Sequence, residues 1–269
     1  MIRLAPCPFA PYCEDVEFSG ISVVVLESAR AVSIRAQIEL AAVVKDRPNA
    51  LVSFATGETF GAFFAEIEHD AGLGRIDLSA FRATHLDEFL GLGPEDRAGF
   101  ANELLACAPL RKAYEEGRFF PVPSSGEEKD LRGHEAHLQS LGGVQLQFLG
   151  IGSNGHVAFS EPGTSLDEGF HRAKLAPSTV AVLKSRFAPD PVPADAVTAG
   201  PASILAAARV VMVATGAGKA NAVHNMMEGD VCSACPASII RRHSDALVLL
   251  DSAAAAGLDW PEFETASAR

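Results

Sequence analysis

Short, unbroken apolar runs rich in β-branched residues recur along this chain, and longer stretches of helical periodicity separate them. ISVVVLES reads as a strand, and RAVSIRAQIELAAVVK as the helix after it. NALVSFA reads as a second strand, followed by ETFGAFFAEIEHDAG as a helix. AFRATHLDEF reads as a strand running into a loop, PEDRAGFANELLACA as a helix, and GVQLQFLGIG as another strand. RVVMVATG and DALVLLD complete the strand set, with GKANAVHNMMEG as a helix between them. Strands that are apolar along their whole length, rather than on alternate positions, are covered on both faces. Alternation of such strands with helices predicts a doubly wound, mostly parallel α/β sheet with helices on both faces, a Rossmann-like architecture. No repeat, low-complexity tract or long linker divides residues 1–269, so one domain is expected.

Composition removes several function classes. The 34 acidic and 22 basic residues give a formal charge of −12, opposite in sign to a nucleic-acid or anionic-membrane surface. No apolar run reaches bilayer-spanning length, and the N-terminal twenty residues lack the continuous apolar stretch of a signal peptide, so cytoplasmic residence is the expectation. Five cysteines, an odd count, argue against a disulfide framework. The VCSACP pair, Cys232 and Cys235, has neither the second pair that zinc needs nor a thioredoxin-like setting, and reads as plain thiols. The N-terminal PCPFAPYC has no assigned role.

In an open parallel sheet, ligands bind beyond the carboxyl ends of the strands, so polar residues just after each strand are the candidates. After NALVSFA comes ATGET, where Thr56, Gly57, Glu58 and Thr59 open a helix; they form either a plain capping turn or an anion cradle of backbone N–H groups. After AFRAT come Asp87 and Glu88, either solvated acids or a pair of which one faces the crevice as a base; His85 reads as a locally bonded ring. After GVQLQFLG comes GIGSNGHVAFSEPG. Its glycines loosen a loop that carries His156, the side-chain type most suited to passing protons, and Glu161, placed to orient that ring. No set of metal ligands accompanies them, so no metal is expected. Arg186 and Lys219 are either solvated surface charges or, in so acidic a chain, partners for a phosphate.

Taken together, ATGET, LDEFLGL, GIGSNGHVAFSEPG, SRF and ATGAGKANAV…MEG…CPAS, in that order over about residues 50–250, resemble the glucosamine-6-phosphate deaminase (isomerase) family, whose superfamily includes 6-phosphogluconolactonases. The resemblance implies conversion of an amino-sugar 6-phosphate to a ketose 6-phosphate and ammonia, without metal or organic cofactor. It implies Asp87 as the base at C2, His156 as the ring-opening group, Glu161 as its acidic companion, and Asn154 beside them, where some members carry Asp. It implies phosphate binding by Arg186, Lys219 and the Thr56–Thr59 loop. The implied partner is a small sugar phosphate, and assembly into homo-oligomers is left open. Glu58 stands where members usually have a second glycine, and GTSLDEGFHRAKL lacks the basic pattern of members under allosteric control. Two other readings compete. A lactonase of the superfamily would continue with TASLFP-like residues in place of VAFSEP. A sugar-phosphate sensor of the transcription-regulator kind would need a DNA-reading module, for which about twenty residues before the first strand are too few, whereas a catalytically silent sugar-phosphate binder stays open, with Glu58 as the sequence argument for it.

Overall fold

The computed structural model describes residues 14–18 and 21–259. The PCPFAPYC segment lies outside the described residues. Eleven strands are present among them: β1 (Glu14–Phe18), β2 (Ile21–Leu26), β3 (Leu51–Phe54), β4 (Arg82–His85), β5 (Asp87–Phe89), β6 (Phe119–Phe120), β7 (Leu146–Gly150), β8 (His171–Lys174), β9 (Asp195–Thr198), β10 (Val210–Ala214) and β11 (Ala246–Asp251). Eight form one sheet in the order β1-β2-β11-β10-β7-β3-β4-β6. The pairs from β2 through to β6 are parallel, and β1 lies antiparallel on the edge.

The expected doubly wound sheet is therefore present, and its composition explains it. Every residue of β3, β10 and β11 is buried, as strands covered on both faces require. The helices are α1 (Ala29–Asp46), α2 (Gly61–Gly72), α3 (Phe100–Leu104), α4 (Ala108–Glu115), α5 (Glu128–Ser140), α6 (Pro177–Phe187), α7 (Pro201–Leu205), α8 (Ala220–Met227) and α9 (Ser252–Ala255). Phe63 of α2 packs on Phe148 of β7 at 4.7 Å between ring centroids, and Phe54 of β3 stacks on Phe148 at 5.9 Å. On the opposite face, Ser53 and Gln147 line a small cavity closed by α5 and α7. No helix among the described residues is long and apolar enough to cross a membrane.

Three segments differ from the sequence expectation. A strand, β1, precedes ISVVVLES, the first strand expected. The LDEF residues are not loop: Asp87–Phe89 pairs antiparallel with β9, which pairs with β8, making a second, three-stranded sheet. PEDRAGFANELLACA is not one helix. A turn holds its start, with Gly93 N–H donating to Asp96 Oδ2 at 2.8 Å, helix runs over α3, and a separate helix, α4, begins at Ala108 with Pro109 in its first turn.

The small sheet has its own apolar cluster, in which Phe89 meets Phe100 at 4.7 Å and Phe187 at 4.8 Å. Truncating such a buried ring costs roughly 3–5 kcal/mol. The cluster matters for position as well as stability, because it pins α3 and α6 against β5.

Candidate active site

Strand order locates the crevice. From β3 the chain proceeds outward to β4 and β6, whereas from β7 it proceeds the other way to β10 and β11. The adjacent strands β3 and β7 thus form the switch point, where their connections diverge and leave a gap beyond the carboxyl ends. The loops after β3, β4, β7 and β10 surround that gap, and they carry the residues singled out in the sequence, apart from Arg186, which stands on α6.

The turns after β3 and β10 share the sequence Ala-Thr-Gly and one geometry. Gly57 (φ +103°) and Gly216 (φ +86°) both occupy backbone space that side-chain-bearing residues avoid. Each leads through a short 3-10 turn, Glu58–Phe60 or Ala217–Lys219, into α2 or α8. Gly216 N–H is satisfied by both Asp251 carboxylate oxygens at 3.0 Å. Gly57 N–H donates to Glu103 Oε1 at 3.1 Å. Thr56 and Thr59 are half-buried, and Glu58 is exposed.

Lys219 Nζ donates to the Ile151 carbonyl at 2.7 Å, at the end of β7. Burial lowers its pKa, and the charge of Glu58 works against that fall. Arg186, near the end of α6, donates from Nε to Ala98 O at 2.7 Å and from Nη2 to Gly99 O at 3.1 Å. Its Nη1 pairs with Glu103 Oε2, and the guanidinium lies 4.7 Å over the Phe100 ring. Sequence reasoning missed Glu103. Nothing in FANELL marks it, since its position follows only from where α3 ends.

The β7 loop is shaped by His156. Gly152 N–H donates to His156 O, and Gly155 N–H to Gly152 O, both at 2.9 Å. Gly155 has φ +87°, and Ala158 enters the left-handed region at φ +49°, an uncommon conformation for a residue with a side chain. The imidazole lies over Gly152 so closely that a Cβ there would stand 2.3 Å from His156 Cε1. His156 N–H donates to Asn154 Oδ1 at 3.2 Å, and Asn154 Nδ2 donates to Glu161 Oε2 at 2.8 Å. His156 Nδ1 is 3.4 Å from that same Glu161 oxygen. Glu161 Oε1 accepts from the Thr179 hydroxyl and from Ala176 N–H at 3.3 Å. Burial alone would raise the Glu161 pKa. His156, Thr179 and Asn154 outweigh it and hold the pKa at about 2. Glu161 is thus a fixed anion beside the histidine.

Of the acidic pair after β4, the structure separates the two. Glu88 is fully enclosed and accepts from the N–H groups of Phe89 (2.9 Å), Phe100 (3.0 Å) and Ala101 (2.9 Å), closing the start of α3. Asp87 has no such duty. Burial foremost, then the charges of Glu88 and Glu103, push its pKa well above the usual carboxylate value, against the pull of Arg186. His85 is locally bonded, as expected, and burial lowers its pKa to about 3, so its ring is neutral.

The small sheet joins Asp87 to the histidine loop. Asp87 is in register with Thr198, and the Thr198 hydroxyl accepts from Phe159 N–H at 2.9 Å. Ser160 Oγ donates to Ala199 O at 3.1 Å, while Ala199 N–H donates to Leu86 O at 2.7 Å. A buried carboxylate of raised pKa and a carboxylate-paired imidazole therefore share one rigid framework, a combination suited to moving protons at two different atoms. Cys232 and Cys235 are free thiols, and the buried Cys235 packs behind Gly155. Among the described residues no group of three or more His, Cys, Asp or Glu could hold a metal ion.

Known proteins resemble this chain over most of its length. The family model of glucosamine-6-phosphate isomerases/6-phosphogluconolactonase matches residues 26–249. The glucosamine-6-phosphate deaminase of Colwellia psychrerythraea is 33% identical over 250 residues, covering 90% of this chain and 92% of that one. The deaminase of Bacillus velezensis is 32% identical, covering 88% of this chain and all of its own. Among solved structures, a monomeric glucosamine-6-phosphate deaminase superposes with a TM-score of 0.81 at 28% identity, over 88% of this chain and 99% of its own. The 6-phosphogluconolactonase of Trypanosoma brucei shares the fold, with a TM-score of 0.69 at 19% identity over 88% and 98% of the two chains. On the match to its family model and on relatives above 30% identity across most of both chains, this chain belongs to the glucosamine-6-phosphate isomerase/6-phosphogluconolactonase family.

Proposed function

We propose that the chain is an amino-sugar-phosphate deaminase, converting glucosamine 6-phosphate or an epimer, with one water, to the ketose 6-phosphate and ammonia. The curated relatives named above as deaminases support this reading. So does the division of labour in the site. His156, paired with the Glu161 anion, passes a proton between ring oxygen and anomeric hydroxyl and so opens the sugar. Asp87, on a separate strand, takes the proton from C2. That proton returns at C1, the nitrogen on C2 becomes an imine, and water replaces it as ammonia leaves. Positioned acid–base groups of this kind each contribute roughly 10²- to 10⁴-fold in rate. Arg186, Lys219 and the Thr56–Thr59 turn bind the phosphate.

The observation that carries this reading over lactone hydrolysis is Asp87. Hydrolysis of a lactone calls for no base at C2, yet a buried carboxylate of raised pKa is tied to the histidine loop through Thr198. The test is release of ammonia and fructose 6-phosphate from glucosamine 6-phosphate, with the galacto epimer and 6-phosphogluconolactone run alongside. Turnover of either amino sugar supports the reading and names the epimer. Hydrolysis of the lactone alone overturns it.

A further inference from the structure

Glu103 occupies an anion's place. One carboxylate oxygen takes the Gly57 N–H at 3.1 Å, and the other pairs with Arg186 Nη1. Those two donors come from the turn after β3 and from α6, elements that meet at the crevice. Glu103 caps nothing in its own helix; the start of α3 is closed by Glu88. Its side chain is 30% exposed, so it has room to swing out, whereas Phe100 and Glu88 hold the α3 backbone in place.

We propose that Glu103 is a specificity-determining residue that fills the phosphate position with an internal carboxylate, so that a sugar phosphate binds only by displacing it. The inference rests on the assignment of Gly57 and Arg186 to the phosphate under the proposed function. A dianionic phosphomonoester offers more charge and more acceptor oxygens to these donors than a carboxylate does, and it displaces Glu103. A singly charged acid competes on equal terms with a group already in place, and an uncharged sugar has nothing to exchange for it. The site thereby favours phosphorylated ligands through rejection as well as attraction.

Such an arrangement has a measurable size. Apparent affinity falls by the fraction of time the site is open, so a carboxylate that fills it nine-tenths of the time weakens binding about tenfold. The test is calorimetric titration of inorganic phosphate into the wild-type chain, Glu103→Gln and Glu103→Asp, with thermal melts to confirm folding. Where amino-sugar turnover exists, KM is measured too. The expected result is phosphate binding about tenfold tighter in Glu103→Gln, with KM falling more than kcat. Glu103→Asp keeps the charge on a shorter arm that reaches Gly57 poorly, and falls between. A residue that merely aligned Arg186 would give the opposite sign, weaker phosphate binding and a higher KM on substitution; that result, unchanged affinity, or no phosphate binding by any of the three proteins overturns the proposal. The titration needs no turnover. Tighter phosphate binding in a chain that deaminates nothing would sink the deaminase reading alone, and active deaminase with unchanged phosphate affinity would sink this inference alone.

Discussion

The neutral imidazole of His85 donates from Nδ1 to the backbone carbonyl of Asp87 at 2.8 Å and accepts from Val122 N–H at Nε2 at 2.9 Å. The Val122 N–H can only donate, which assigns the tautomer and sets the direction of both bonds. A buried ring two residues upstream thus fixes the backbone from which the Asp87 carboxylate projects. Phe119 stacks on it at 5.7 Å between centroids. His85 acts on Asp87 through geometry rather than through charge.

Asp87→Asn keeps the size and the backbone of that residue and removes its basicity. Solvent exchange of the C2 proton, followed by deuterium incorporation into the sugar phosphate, should fall by at least about 10²-fold. Sugar-phosphate binding, measured by calorimetry, should survive. Unchanged exchange would remove Asp87 from the role of base.

The pH profile follows from the same carboxylate. Asp87 accepts a proton only when ionised, and burial together with the Glu88 and Glu103 charges raises its pKa from 3.8. The acid limb of kcat/KM, which reports the free enzyme, is therefore expected above the ordinary carboxylate range, with activity lost as pH falls through it. Glu103→Gln removes one of the raising charges and should move that limb to lower pH. A limb at the ordinary value in the wild-type chain contradicts the assignment.

Gly152→Ala tests the histidine loop. The added methyl would meet the His156 ring, at 2.3 Å from Cε1, while the Gly152 backbone has no positive φ to forbid alanine. The ring, not the backbone, must yield. A displacement of about 1 Å in a reacting group costs on the order of 100-fold in turnover, so kcat should drop by about that factor while the melting temperature changes little. A melt lowered as far as that of a core truncation would point to collapse of the loop instead.

Glu58→Gly tests the other acid near the phosphate turn. Glu58 is exposed, and its charge is felt at Lys219. Exposed charge effects of this kind amount to about 0–1 kcal/mol, so KM for the phosphorylated substrate should fall by no more than about fivefold. An unchanged KM would show that the Glu58 carboxylate points away from the ligand.

The large sheet was legible because buried parallel strands leave unbroken apolar runs such as Val210–Ala214, which no other setting explains as simply. The small sheet was not. Its strands read DEF, HRAK and DAVT, three or four residues each with scant apolar content, and β5 is defined only by its pairing with β9, more than a hundred residues further along the chain. His156 and Glu161 could be linked in advance because they share one loop. Thr179, which holds the other Glu161 oxygen, comes from α6. Glu103 was beyond reach for the same reason: its partners Gly57 and Arg186 lie 46 residues before it and 83 residues after it, and no local pattern encodes that meeting.

The placement of β3 beside β7 also governs how the protein comes into being. The bond from Leu51 N–H to Gln145 Oε1 joins residues 94 apart in the chain, and on ribosomes the first strand of this pair must wait for the second. Long-range parallel pairing is entropically slow to close, and the crevice cannot form before β7 has been made. A nascent chain that has emerged only through β6 holds the Gly57 turn and Asp87 but none of the histidine loop, and its β3 edge is bare. That exposed edge is the point at which a chaperone, or another unfinished copy, would first find something to pair with.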